Sequence, residues 1–153
     1  MIKRAVFPGS FDPITLGHEN IIRRAIPVFD EIIVAVGQNI EKKSLFTLED
    51  RLRWIRQTFA DCNTIKVDSY SGLTVDFCRK VDAQYVIRGL RTSADFEFER
   101  IVGQVNKKLY PVIETVFLLS TPEYSPINSS IVRDVYKNGG NVSAFIPSAI
   151  KLP

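Results

Sequence analysis

From Gly9 to His18 the chain reads Gly9-Ser10-Phe11-Asp12-Pro13-Ile14-Thr15-Leu16-Gly17-His18. Gly9 follows a short apolar run, Ala5-Val6-Phe7, and permits a backbone angle that other residues resist. Gly17 lets a backbone or a phosphate approach closely. Ser10 supplies a hydroxyl, and His18, the one histidine of the chain, supplies a ring donor where a helix should open. A helix N-terminus already offers unpaired amides and the positive end of a dipole, so its natural ligand is an anion. At its simplest such a segment is a turn rich in Gly and Pro. Hydroxyl and imidazole together, directly after a strand, make it a candidate phosphate site.

Four further segments end apolar runs in the same way. Asn39-Ile40-Glu41-Lys42-Lys43 could be a solvated charge run; in company with the first segment, Lys42 becomes a mobile point charge for phosphate. Ile87-Arg88-Gly89-Leu90-Arg91 places two arginines about a glycine at a strand end, a pattern suited to bidentate anion binding. Asp95-Phe96-Glu97-Phe98-Glu99 follows at the start of a helix, where acidic residues often only answer the dipole. Glu99 could instead pair with Arg91 or reach ribose hydroxyls. Tyr124-Ser125-Pro126-Ile127-Asn128-Ser129-Ser130-Ile131-Val132-Arg133 brings small polar side chains to another helix start, either as an N-cap cluster or as a nest of amides for an anion.

The elements that must hold these segments follow from periodicity. Ile32 to Val36 and Val116 to Leu119 are continuously apolar, as strands buried on both faces of a parallel sheet are. Ala5 to Phe7, Ile65 to Val67 and Tyr85 to Ile87 read as further strands. Between them, residues 47 to 60 set Leu48, Leu52, Ile55 and Phe59 on one helical face, with Thr47 and Asp50 in capping-box spacing. Residues 93 to 109 set Phe98, Ile101, Val102, Val105 and Leu109 on one face, with Thr92 and Asp95 at the cap. Residues 17 to 29 form a helix that Pro27 should end early, and residues 129 to 137 a last one stopped by Asn138-Gly139-Gly140. The alternation predicts an α/β fold, a doubly wound five-stranded parallel sheet. With 153 residues and no linker or repeat, one domain over 1–153 is expected.

Composition narrows the function. A net charge of +3 is too slight for a nucleic-acid binder, yet it allows a local positive pocket. Cys62 and Cys78, the only cysteines, read as buried thiols of a reduced compartment and cannot build a metal site. No run approaches the ~20 apolar residues of a membrane span, and Met1 to Gly9 is too short an apolar run for a signal peptide. A cytoplasmic protein, without membrane or nucleic-acid partners, is the expectation.

Gly9-Ser10-Phe11-Asp12-Pro13 with Thr15-Leu16-Gly17-His18 resembles the (H/T)xGH signature of the nucleotidylyltransferase superfamily. Lys42, Arg88-Gly89-Leu90-Arg91, the acidic run to Glu99 and the Ser-rich helix start resemble, within it, the bacterial phosphopantetheine adenylyltransferases, over residues 2 to about 146. The resemblance implies a Rossmann-like nucleotidyltransferase domain that transfers AMP from ATP to 4′-phosphopantetheine, giving dephospho-coenzyme A and pyrophosphate without a covalent intermediate. It implies catalytic roles for Ser10, His18, Lys42 and Arg91. It also implies ATP contacts from Ser10, Phe11, His18, Gly89, Leu90, Arg91, Glu99 and the run Tyr124, Ser125, Pro126, Ile127, Asn128, Ser129 and Ser130. Ser10, Lys42, Thr74 and Arg88 would bind the acceptor. Mg²⁺ would accompany the triphosphate, the protein would be a homohexamer, and coenzyme A would inhibit by feedback. Ser10 stands where threonine is common, Phe7 where tyrosine is, and Pro126 and Asn128 alter the serine run.

Two rivals frame this expectation. A glycerol-3-phosphate cytidylyltransferase would share the first motif but carry an Arg-Thr-x-Gly-x-Ser-Thr segment near the end, which is not found here. A non-catalytic nucleotide-binding module would have no need of Ser10, His18, Lys42 and Arg91 together.

Overall fold

A computed structural model describes residues Met1–Pro153. Five strands and five helices alternate: β1 (Arg4–Gly9), α1 (Leu16–Ala25), β2 (Glu31–Gln38), α2 (Leu48–Thr58), β3 (Ile65–Ser71), α3 (Thr74–Lys80), β4 (Tyr85–Leu90), α4 (Ser93–Leu109), β5 (Glu114–Leu119) and α5 (Ser129–Lys137). All strand pairs are parallel, in the order β3-β2-β1-β4-β5. β1 therefore has neighbours reached by crossovers in opposite directions, the topological switch point at which ligands bind beyond the strand ends.

Pairing at that point is short. β1 matches β2 over six residues, Arg4↔Glu31 to Gly9↔Val36, but matches β4 only at Ala5↔Tyr85 and Val6↔Val86. Beyond Val6 the two strands part, and their C-terminal ends frame a cleft. Glycine helps the sheet and its helices close up below the cleft: a Cβ on Gly89 would stand 3.2 Å from Ile21.

Alternate residues of each central strand enter different cores, as the strand period requires. Ala5, Phe7, Ile32, Val34 and Val36 join Ile22, Ala25, Trp54 and Ile55 in the larger cluster. Val6, Ile33, Ala35 and Val86 join Phe77, Cys78 and Ile113 in the smaller one. The segment after α5 packs Val142, Ile146 and Ile150 onto the larger core. Burial pushes the Cys78 thiol up to about 11, so it stays an unreactive thiol at neutral pH.

The helix caps follow the sequence closely. α1 ends before Pro27, and α4 begins with a complete Thr92–Asp95 capping box. At α2 the Thr47 hydroxyl accepts the Asp50 amide, without the reciprocal bond. Two elements escape the sequence pattern. β3 runs on to Ser71, and α3 is a seven-residue helix too short for its period to show.

One expectation is overturned: Val116 to Leu119, read as buried on both faces, form the edge strand β5, in which no residue is buried and Leu119 is 71% exposed. The apolar face of α4 is not buried: Phe98 is 68% exposed, Ile101 53%, Val105 51% and Leu109 47%, with Val102 also exposed. The only buried residue of α4 is Glu99. Toward the sheet the helix presents Glu99, Gly103 and Asn106, one turn apart, and these line a cavity rather than a dry contact. A periodic stripe shows that a helix has an apolar face; it does not show what covers it.

The contrast gives a stability expectation. Ile55, fully buried in the larger core, should lose about 2–5 kcal/mol on Ile55→Ala, read by urea unfolding.

Candidate active site

Above the parted ends of β1 and β4 lie two cavities. One, of about 270 Å³, is lined by Phe11, Gly17, His18, Gly89, Arg91 and Tyr124 among others, and reaches Asn128 and Ser129 at the start of α5. The second, of about 770 Å³, lies between the ends of β2 and β3 and the inner face of α4, with Gly37, Tyr70, Thr74, Asn106 and Thr115 in its walls. Pro8, Gly9, Ser10, Arg88 and Glu99 line both. The exposed Ser10 hydroxyl thus stands at their junction.

His18 is the third residue of α1, and its ring completes a cap. The Thr15 N–H donates to His18 Nδ1 at 3.0 Å, while the His18 N–H donates to Thr15 Oγ1 at 3.4 Å. An imidazole here does what a carboxylate does in the usual capping box. Because Nδ1 accepts a backbone N–H, the ring proton sits on Nε2. The Phe11 ring meets the imidazole edge-on at 4.9 Å, and Phe11 itself is buried. Desolvation, then the nearby Arg88 and Arg91 charges, lower the His18 pKa from 6.5 to about 4. At neutral pH His18 is therefore an uncharged donor through Nε2–H, held in one tautomer.

Arg88 and Glu99 form the floor. Arg88 Nε and Nη2 donate to the two carboxylate oxygens of Glu99 at 3.0 and 2.7 Å, and Nη1 donates to the Pro8 carbonyl at 2.7 Å. A guanidinium has five N–H groups, so two remain for a ligand. The sequence suggested Arg91 or ribose hydroxyls for Glu99; its carboxylate instead pairs with Arg88, a partner the sequence did not suggest. Arg91 meets Asp95, at 3.3 Å, on the rim of the smaller cavity.

The helix start at α5 is built differently from a row of free hydroxyls. Asn128 is its N-cap, accepting the Ile131 N–H at 2.9 Å, so the side-chain amide at this position has a structural task. The Ser129 hydroxyl donates to the Pro13 carbonyl at 2.8 Å, and Ser130 accepts from Arg133. The first-turn amides of an α-helix lack intrahelical partners, and they remain the groups that could meet an anion here.

Other expected residues stand elsewhere. Ile127 lines the smaller cavity, whereas Ser125 bonds the Thr121 carbonyl and, like Pro126, Ser130 and the buried Leu90, forms no part of its lining. Lys42 lies in an exposed loop and borders a hollow of about 70 Å³ with Ser10, Asn39 and Arg133, not the cavity of His18 and Arg91. Thr74 opens α3 in the wall of the larger cavity, bonded to the Tyr70 hydroxyl at 2.8 Å.

Sequence reasoning missed Asn106 and Thr115 on that wall. Thr115 Oγ1 is buried without a partner. Neither residue sits in a motif or at a strand end, and only the spacing 99, 103, 106 on α4 hinted at a polar face. No three His, Cys, Asp or Glu side chains converge to cage a metal ion, and no helix is long and apolar enough to cross a membrane.

The His18 geometry has a direct check. In the ligand-free protein, ¹⁵N NMR should find the Nε2–H tautomer at pH 7 and a midpoint near 4, not near the ordinary 6.5. Between those values the folded state binds fewer protons than the unfolded one. The stabilisation due to neutral His18 is thus complete above about 6.5 and lost as pH falls through about 4.

The cytidylyltransferase-like family matches residues 6–135. A phosphopantetheine adenylyltransferase from Flavobacterium psychrophilum is 54% identical, over 99% of each chain. One from Dictyoglomus turgidum is 47% identical, over 98% of this chain and 93% of its own. Among solved structures, a putative nicotinate-nucleotide adenylyltransferase from Vibrio parahaemolyticus superposes with a TM-score of 0.72 at 18% identity, covering 97% of this chain and 96% of that one. A bifunctional NMN adenylyltransferase/ADP ribose pyrophosphatase from Francisella tularensis gives 0.73 at 17% identity, this chain spanning 98% of its own length and 46% of the other. The two structures share the fold; the full-length relatives carry the assignment, and the chain belongs to the cytidylyltransferase-like family as a phosphopantetheine adenylyltransferase.

Proposed function

We propose that the two cavities bind the two substrates of one adenylyl transfer, ATP in the smaller and 4′-phosphopantetheine in the larger, with their phosphates meeting at Ser10. The observation that carries this reading is the shared wall of Pro8, Gly9, Ser10, Arg88 and Glu99. A long, partly polar acceptor suits the larger cavity, where Thr74, Asn106 and the unpartnered Thr115 hydroxyl could meet amides.

The acceptor phosphate attacks the α-phosphorus of ATP. A new P–O bond forms, the bond to the β-phosphate oxygen breaks, and pyrophosphate leaves with the electron pair. A phosphate monoester at neutral pH is already anionic, so no general base is required. The protein must align two anions and offset the charge that builds between them. In this reading Ser10 orients the attacking phosphate, and the two free N–H groups of Arg88 bind it. His18 donates Nε2–H to the α-phosphate without itself changing charge. Lys42 swings in from its loop, and Arg91 with the amides of Ser129 and Ser130 holds the β- and γ-phosphates. Mg²⁺ would ride on the phosphate oxygens and water, as it commonly does, and would offset their charge. Coenzyme A combines an adenosine and a pantetheine portion, so it could occupy both cavities and inhibit. A cytoplasmic site of action fits these substrates.

Purified protein given ATP and 4′-phosphopantetheine should release pyrophosphate, and CTP should not replace ATP. His18→Ala should cut kcat by about 100- to 1,000-fold while ATP affinity changes little. Preference for CTP, or full turnover in the variant, would contradict the reading.

A homohexamer belongs to the same proposal. The exposed stripe of Ile101, Val105 and Leu109 is supporting evidence, since a soluble protomer seldom leaves such a face uncovered. Light scattering should show an assembly that Ile101→Glu with Val105→Glu reduces to smaller species.

A further inference from the structure

Few charged side chains are buried in this protein: Asp12, Arg51 and Glu99. Glu99 is accounted for by Arg88. The other two have no part in the chemistry described above, and both have bonds at the Ser10–Asp12 turn.

Arg51 is 6% exposed and projects from α2. Its Nη1 donates to the Ser10 carbonyl at 2.7 Å, and its Nε to the Thr47 carbonyl at 3.4 Å. Asp12 is 5% exposed. Its carboxylate accepts the Leu45 and Phe46 N–H groups at 2.8 and 2.9 Å. Those amides belong to the segment that leads from Lys42 into the Thr47 cap of α2. From α5, Arg133 donates to the Asp12 carbonyl at 2.9 Å. The turn is thus held from α2, from the Lys42 segment and from α5 at once.

Such holding answers a need in the backbone. Phe11, between Ser10 and Asp12, has φ of +47°, in the left-handed region that bulky side chains avoid. A residue in that conformation persists where its surroundings over-determine it, and such places cluster at functional sites. Arg51 lines neither large cavity, and burying its charge is not in itself a route to stability.

Resting on the proposed reaction, we infer that Arg51 and Asp12 are positioning residues of adenylyl transfer. Arg51 fixes the Ser10 carbonyl and so the backbone position from which the Ser10 hydroxyl is presented. Asp12 ties the segment bearing Lys42 to the same turn. The Ser10 turn and the C-terminal root of the Lys42 loop are thereby anchored to one unit, so that the lysine moves from a fixed base.

The test compares Arg51→Met, which keeps bulk without a donor, with Arg51→Lys, which restores one. Rates are referred to the folded fraction. Arg51→Met should lower kcat by about 100-fold, the scale of a displacement of about 1 Å, with KM for ATP within about threefold, because an interaction that aligns groups shows in kcat rather than in binding. Arg51→Lys should recover part of the rate. An unchanged kcat in Arg51→Met, or no recovery in Arg51→Lys, would overturn the role of Arg51. Asp12→Asn is judged without turnover, by amide hydrogen exchange: Leu45 and Phe46 should exchange faster while the core strands stay protected. Unchanged protection at those two amides would overturn the tether. Should the parent protein show no turnover at all, the enzymatic reading fails by itself, and the exchange result still decides whether the clamp exists.

Discussion

The site depends on a gap in the sheet and on the side chain that bridges it. After Val6 and Val86, β1 and β4 no longer pair, and a backbone left unpaired inside a protein must find other partners. Arg88 supplies one by donating to the Pro8 carbonyl, and it is itself held by both oxygens of Glu99. A planar fork with five donors can satisfy strand, helix and ligand together, which a lysine could not. The opening proposed to admit two substrates is thus stabilised by the residue proposed to bind one of them.

The charge of the site is assembled from unequal parts. His18 contributes no net charge: Thr15 fixes its tautomer, while burial and the two arginines keep it neutral. Arg88 is compensated by Glu99, and Arg91 is partly compensated by Asp95. A site for two polyanions can hold too much positive charge as well as too little, since cations crowded together destabilise the empty protein. In the proposed reaction, compensated arginines, helix-start amides and the exposed Lys42 would supply attraction when phosphates arrive and limit repulsion before then.

α4 shows how one helix can serve two surroundings. Its Glu99, Gly103 and Asn106 side shapes the larger cavity and touches the sheet where Gly103 comes close to Thr115 of β5. The opposite, apolar side faces outward. The helix therefore gives little to the protomer core, which explains why the buried cluster on this face of the sheet is the smaller one. Its placement is set by the cap at Thr92, the Arg88–Glu99 pair and the contact of Phe96 with Phe117.

Sequence alone determined the five strands and four of the five helices, most helix ends, and the loops from which His18, Arg88 and Arg91 come, because periodicity, caps and glycine turns are local in the chain; α3 was too short to show. It also placed Ser10 and Ser129 at strand and helix ends. The tertiary structure decided what those residues touch. Glu99 pairs with Arg88 instead of Arg91, the Ser129 hydroxyl goes to Pro13, Lys42 stays outside the His18 cavity, and the apolar stripe of α4 is left uncovered. Asp12 and Arg51 were illegible for the same reason. Leu45 lies 33 positions from Asp12 and Ser10 lies 41 from Arg51, and whether a charge is buried depends on how separate elements pack, a long-range outcome that no pattern of near neighbours contains.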